Sequence, residues 1–276
     1  MKIRRIRLYN MKSAIKVIAF ADLMFILCLV FAGLAEGVAS EIIYYCAFAL
    51  PILMLYSYMR SKKANPHSGV SLTISKSKLI SSGLLVFPAV GITALLAFLT
   101  TLLMGAFGFS PSVIEPMPIY LALLVHAFVP ALLEEILFRF FPIKLMAAHS
   151  ERLAILLSAA AFSLCHTDLF KIPYAFFAGL VFGYITLHSG SIIPTFIIHF
   201  INNALSVTVM LYPEISLWIY IALGVLALVS AVLIFFTRKN YRDIARILKK
   251  GEDEAFTFSA LALVMLSLFV AITSLF

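Results

Sequence analysis

Charge is scarce in this sequence, and long polar stretches are scarcer. Only 12% of its 276 residues are charged, 63% are apolar, and the mean hydropathy is +1.07. A typical soluble chain is about 25% charged and about 45–50% apolar. The shortage excludes a soluble globular protein, a disordered chain and a coiled coil. A membrane β-barrel is excluded too, because barrels alternate apolar and polar residues along short strands. Cysteine is equally sparse: Cys28, Cys46 and Cys165 are scattered through apolar segments with no CxxC pair. An odd, dispersed set builds no disulfide framework and reads as buried packing residues. No HExxH and no GxSxG occurs, which removes the zincin pattern and the serine elbow.

What is present is a succession of apolar runs, at roughly 15–35, 42–59, 79–107, 119–143, 153–168, 172–188, 191–212, 215–236 and 255–275. Runs of about 20 apolar residues span a bilayer as helices. The fold expected is therefore all-α, a polytopic transmembrane bundle of eight to nine membrane helices. The fifth and sixth runs are short, and the third is long enough to tilt or kink. The basic N-terminal stretch reads as the flank of a retained first helix, because the apolar run after Lys16 is too long for a signal-peptide core.

The formal net charge is +8, yet its placement points to lipid rather than nucleic acid. All but one of the 21 Lys and Arg residues, Lys171 being the exception, cluster at residues 2–16, 60–78, 139–152 and 238–250. The loops after the first and third runs, and the Tyr212–Glu214 turn, hold acids but no Lys or Arg. This is the positive-inside pattern. It predicts a multi-pass protein of the cell membrane with a cytoplasmic N-terminus. The expected organisation is three spans over 1–118, a four-span core over 119–212, and C-terminal spans over 213–276 containing a basic cytoplasmic loop that lies along the membrane surface.

With no extramembrane domain predicted, chemistry must come from polar residues within the apolar runs. Each ionisable group there costs at least about 2.5–3.5 kcal/mol on insertion scales and is a functional candidate by default. The fourth run reads LVHAFVPALLEEILFRFF. Successive helical positions lie about 100° apart, so Glu134 and Glu135 face different surroundings. Glu135 and Arg139 stand at i,i+4, the spacing of a helical ion pair, which leaves Glu134 free to act as an acid or base. A structural ion cluster tying helices together accounts for the same residues. The seventh run, SIIPTFIIHFINNALS, places His199 and Asn203 on one helix face and Asn202 on another. That pair can hold an oxyanion or orient a water, or simply bond one helix to the next. His166, near the end of the fifth run, supplies a third imidazole. Glu134, His166 and His199 together are also a conceivable zinc set, although no cofactor is expected. Asp22 and His126 are further polar residues at depth.

The EExxxR of Glu134–Arg139, the FxxxH of Phe162–His166 and the HxxxN of His199–Asn203, in this order on separate helices, resemble the three motifs of the CPBP family. These are the CAAX prenyl protease and bacteriocin-processing (Abi) intramembrane proteins. The stretch with Gly179 and Gly183 ahead of the last motif adds to the likeness, which covers roughly residues 119–206. The resemblance implies a glutamate-dependent intramembrane endopeptidase. It gives Glu134 and His166 the role of water activators, His199 and Asn203 that of oxyanion donors, and Glu135 and Arg139 that of supporting residues. It further implies a peptide or membrane-protein substrate and a role in bacteriocin or peptide processing or in self-immunity. The alternative is a non-catalytic membrane scaffold that regulates a sensor kinase or other membrane partner.

Overall fold

A computed structural model describes residues 11–36, 38–61, 70–108, 117–166 and 171–237, and among these the regular elements are all helices, with one isolated bridge between Ser71 and Ser191. The helices are α1 (Met11–Leu34), α2 (Val38–Ser61), α3 (Lys76–Ala106), α4 (Ile119–Met146), α5 (Glu151–Leu164), α6 (Lys171–Ser189), α7 (Ile193–Leu211) and α8 (Ser216–Thr237). All except α5 are long and apolar enough to cross a membrane. The ninth predicted run, 255–275, and the basic loop before it lie outside the described residues.

The fifth run departs from expectation in a way that matters for the site. It was expected to span 153–168, but α5 begins at Glu151 and ends at Leu164. Ser150 caps its start by accepting from the Leu153 amide at 3.1 Å, as N-cap serines do. Fourteen residues rise only about 21 Å, against about 30 Å of hydrocarbon core. The helix therefore stops inside the bundle, and Cys165 and His166 occupy the turn that follows it.

The two largest of four apolar clusters among the described residues build most of the interior. One joins α1, α2, α4 and α5 through residues such as Phe25, Phe48, Phe138, Phe141 and Phe162. The other joins α3, α6, α7 and α8 through Ala89, Val90, Phe182, Ile198 and Leu223. The halves are stitched by small-residue contacts that let backbones approach. At Gly179 on α6 an added Cβ would lie 2.8 Å from the Ala159 Cα on α5, and at Gly183 it would lie 3.1 Å from the Ile155 side chain.

One end of the bundle is tied together by polar contacts. Ser13 on α1 hydrogen-bonds the Tyr58 hydroxyl on α2 at 2.8 Å. The Lys144 ammonium on α4 donates to the Val70 carbonyl at 3.3 Å. The Ser71 amide donates to the carbonyl of Gly190, whose φ of 68° turns the chain from α6 into α7.

Replacing Gly179 with Val should therefore cost about 1–3 kcal/mol by overpacking, read as a lower melting temperature in detergent. Gly105, with open space around it, provides the control: Gly105→Ala should be neutral or stabilising by about 0.5–1 kcal/mol.

Candidate active site

The site is built on α4, whose regularity is broken twice. Residues Leu123–Phe128 and Ile136–Phe140 are π-helical, and Pro130 and Pro142 follow them within two residues. Proline lacks the N–H that would bond the preceding turn, and its ring clashes with the carbonyl four residues back. The helix widens ahead of each to absorb the defect. Between the two wide turns lies one ordinary segment, Val129–Glu135, and it carries both glutamates.

Glu135 and Arg139 are completely buried, with the Arg139 Nη1 3.8 Å from the Glu135 Oε1. The same oxygen accepts a hydrogen bond from His199 Nδ1 at 3.0 Å, so one carboxylate ties α4 to α7. The guanidinium lies against aromatic rings on two other helices, its Cζ 3.9 Å from the Phe162 centroid and 5.3 Å from that of Phe182. No Arg139 nitrogen has a hydrogen-bond partner among the described residues. The charge is balanced instead by Glu135 and by the negative faces of the rings, an interaction of about 2 kcal/mol or more when desolvated.

Glu134 has no such cage. Its carboxylate lies 3.6 Å from His199 Nε2, longer than a good hydrogen bond. It borders a cavity of about 820 Å³ between the helices. His166, Asn202, Asn203, Tyr44 and Tyr174 border the same space.

The three short motifs thus converge. The early end of α5 is the reason His166 reaches the cavity, and its Nδ1 donates to the Phe162 carbonyl at 2.8 Å. That carbonyl is one of the last of α5 and would otherwise lack a partner. A carbonyl only accepts, so Nδ1 carries the proton and the neutral ring keeps its lone pair on Nε2. A carboxylate likewise only accepts, so His199 holds a proton on Nδ1, and Nε2 donates when the ring is charged.

Asn202, one position from the motif asparagine, has a different part. It accepts from Thr93 Oγ1 at 3.1 Å and donates to the Tyr174 hydroxyl, joining α7 to α3 and α6. Tyr174 and Thr93 were not legible as site residues, because a lone Tyr or Thr in an apolar helix carries no spacing signal. Asp22, buried on α1, is not among the lining residues, and its Oδ2 has no hydrogen-bond partner among the described residues. His126 lines the cavity. Among the described residues, no group of three or more His, Cys, Asp or Glu is arranged to hold a metal, and Glu134, His166 and His199 form no such set.

With Glu135→Gln, Arg139 would be a buried charge without its counter-ion, a loss of about 3–5 kcal/mol. Thermal melting in detergent should show this loss, with partial recovery in Glu135→Gln combined with Arg139→Met. Unchanged stability in the single variant would mean that the pair does not hold the fold.

Residues 116–205, from just before α4 into α7, match the family model described as Rce1-like, type II CAAX prenyl endopeptidase. No curated protein and no solved structure matches the chain.

Proposed function

We propose that this chain, a polytopic membrane protein whose residues 116–205 match the Rce1-like CAAX prenyl endopeptidase family model, is an intramembrane endopeptidase that works through a glutamate-activated water. The observation that carries the reading is the meeting of three motifs at one cavity: Glu134, His166 and Asn203 line it, and His199 Nε2 lies 3.6 Å from Glu134. Around it stands a buried ion pair that leaves Glu134 out.

The chemistry follows from which atoms are free. A water beside Glu134 loses its proton to the carboxylate as it attacks the peptide carbonyl, with His166 Nε2 accepting the water's other hydrogen and fixing its orientation. Negative charge then collects on the carbonyl oxygen. The His199 ring, whose Nδ1 is held by Glu135, and the Asn203 amide face that oxyanion as its donors. Collapse of the tetrahedral intermediate breaks the C–N bond, and the proton held by Glu134 passes to the leaving amine. Arg139 acts at one remove, keeping Glu135 charged so that His199 stays oriented.

The cavity falls within the roughly 300–1,000 Å³ range of binding pockets, large enough for an extended peptide stretch and too small for a folded domain. This supports a flexible peptide or the tail of a membrane protein as the substrate. We assign the biological role to processing of, or self-protection against, a bacteriocin-type peptide.

Comparing peptide termini from cells that express the wild type and Glu134→Gln at equal abundance tests the reading. Specific termini should appear with the wild type and fall by at least about 100-fold in Glu134→Gln and His166→Ala. Asn203→Ala should cost about 100- to 1,000-fold. Identical termini in all samples would leave a non-catalytic membrane scaffold as the function. A chelator should not affect cleavage, and loss of cleavage with recovery on adding zinc would replace the water-activation mechanism by a metal one.

A further inference from the structure

The cavity is asymmetric along the bundle axis. Its lining on α1 comes from Phe25 to Gly33, on α2 from Ser40 to Phe48, on α3 from Ala97 to Met104, and on α7 from Asn202 to Met210. Each of these stretches belongs to the same end of the bundle, the end where α1 finishes, α2 begins, α3 finishes and α7 finishes. Gly33, Ser40, Met104, Lys171 and Met210 stand at the rim. From there the space descends to Glu134 and Phe138 in the middle of α4 and goes no deeper.

The positive charges stand at the opposite end. Lys12 and Lys16 open α1, Arg60 closes α2, Lys76 and Lys78 open α3, Lys144 closes α4 and Arg152 opens α5. Three contacts confirm that these termini share one end: Ser13 with Tyr58, Lys144 with Val70, and Ser71 with the Gly190 turn. The rim end carries Lys171 as its one basic residue, beside Glu36 and Glu214 among the described residues. Lys and Arg flanking membrane helices are retained on the cytoplasmic side, where anionic lipid and the insertion machinery hold them.

We propose that substrate reaches Glu134 from the extracytoplasmic side, so that this protein acts on peptides and on chain segments presented at the outer face of the membrane. The proposal rests on the peptidase reading for its substrate but not for its geometry. A protein tail exposed only in the cytoplasm meets the basic end of the bundle, which the cavity's lining does not reach. A peptide leaving the cell, or arriving from outside, meets the open one.

Thiol labelling decides the entry side independently of activity. In a background with Cys28, Cys46 and Cys165 replaced by Ala, Gly33→Cys places a thiol at the rim, where an added side chain meets open space. Ser61→Cys marks the basic end, where Ser61 is exposed. A membrane-impermeant maleimide should label the Gly33 variant in intact cells and lose it in inverted vesicles, with the Ser61 variant showing the reverse. Labelling of the Gly33 variant from the cytoplasmic side, alone or as well, would overturn the proposal. Should the Gly33 variant be absent from membranes, Thr101→Cys at the same rim gives the same readout. A fluorogenic peptide library added to sealed wild-type vesicles then reads the activity. Cleavage confined to right-side-out vesicles agrees with outer entry, and cleavage confined to inverted ones overturns it. No cleavage in either orientation sinks the peptidase reading, and the labelling still settles which side the cavity faces.

Discussion

The site depends on a carboxylate buried where water cannot reach it. Glu135 is fully enclosed at the middle of a membrane bundle, a position that is several kcal/mol unfavourable for an unpaired charge. Arg139 balances it along α4, and His199 ties it to α7. Arg139 in turn lies between Phe162 of one apolar cluster and Phe182 of the other. The ion pair is thus the point at which the two halves of the bundle meet, and removing one member loosens packing and orientation together. Buried ion pairs stabilise little compared with apolar residues of the same shape. Its retention here is better explained by what it does for His199, whose Nδ1 is held so that Nε2 stays beside Glu134.

Irregular helices create the space in which that arrangement can work. Two prolines force wide turns into α4 on either side of the glutamates. A short α5 ends two residues ahead of His166 and leaves an imidazole where a full-length span would have placed its next turn. Backbone groups freed in this way need partners at membrane depth. The Phe162 carbonyl finds one in the His166 ring, so a single contact both terminates a helix and selects the tautomer of a site residue.

Polar side chains away from the motifs keep the cavity from collapsing into the core. Asn202 links Thr93 and Tyr174 across three helices, while its neighbour Asn203 stays at the cavity wall. Two adjacent amides on one helix thus differ: Asn202 bonds neighbouring helices, and Asn203 borders the cavity. The 100° step between neighbouring helical positions separates them, as it separates Glu135 from Glu134.

Much of this protein was legible in the order of its residues. Apolar runs separated by charge determine a multi-pass helical bundle, because the bilayer admits few other ways to satisfy a backbone. The i,i+4 spacing of Glu135 and Arg139 determines their pairing, because helix geometry is local. Gly179 and Gly183, one helical turn apart, let α6 approach α5 at Ala159 and Ile155. Tertiary structure alone decided the rest. The end of α5 at Leu164, four residues short of the end of its apolar run, was not read from the sequence. That Glu135, rather than Glu134, takes His199 was hidden, because partners 64 residues apart are chosen by packing between helices. Tyr174, Thr93 and the one-ended cavity were invisible for the same reason: a space shared by six helices and the turn after α5 belongs to all of them at once, and no single helix carries its pattern.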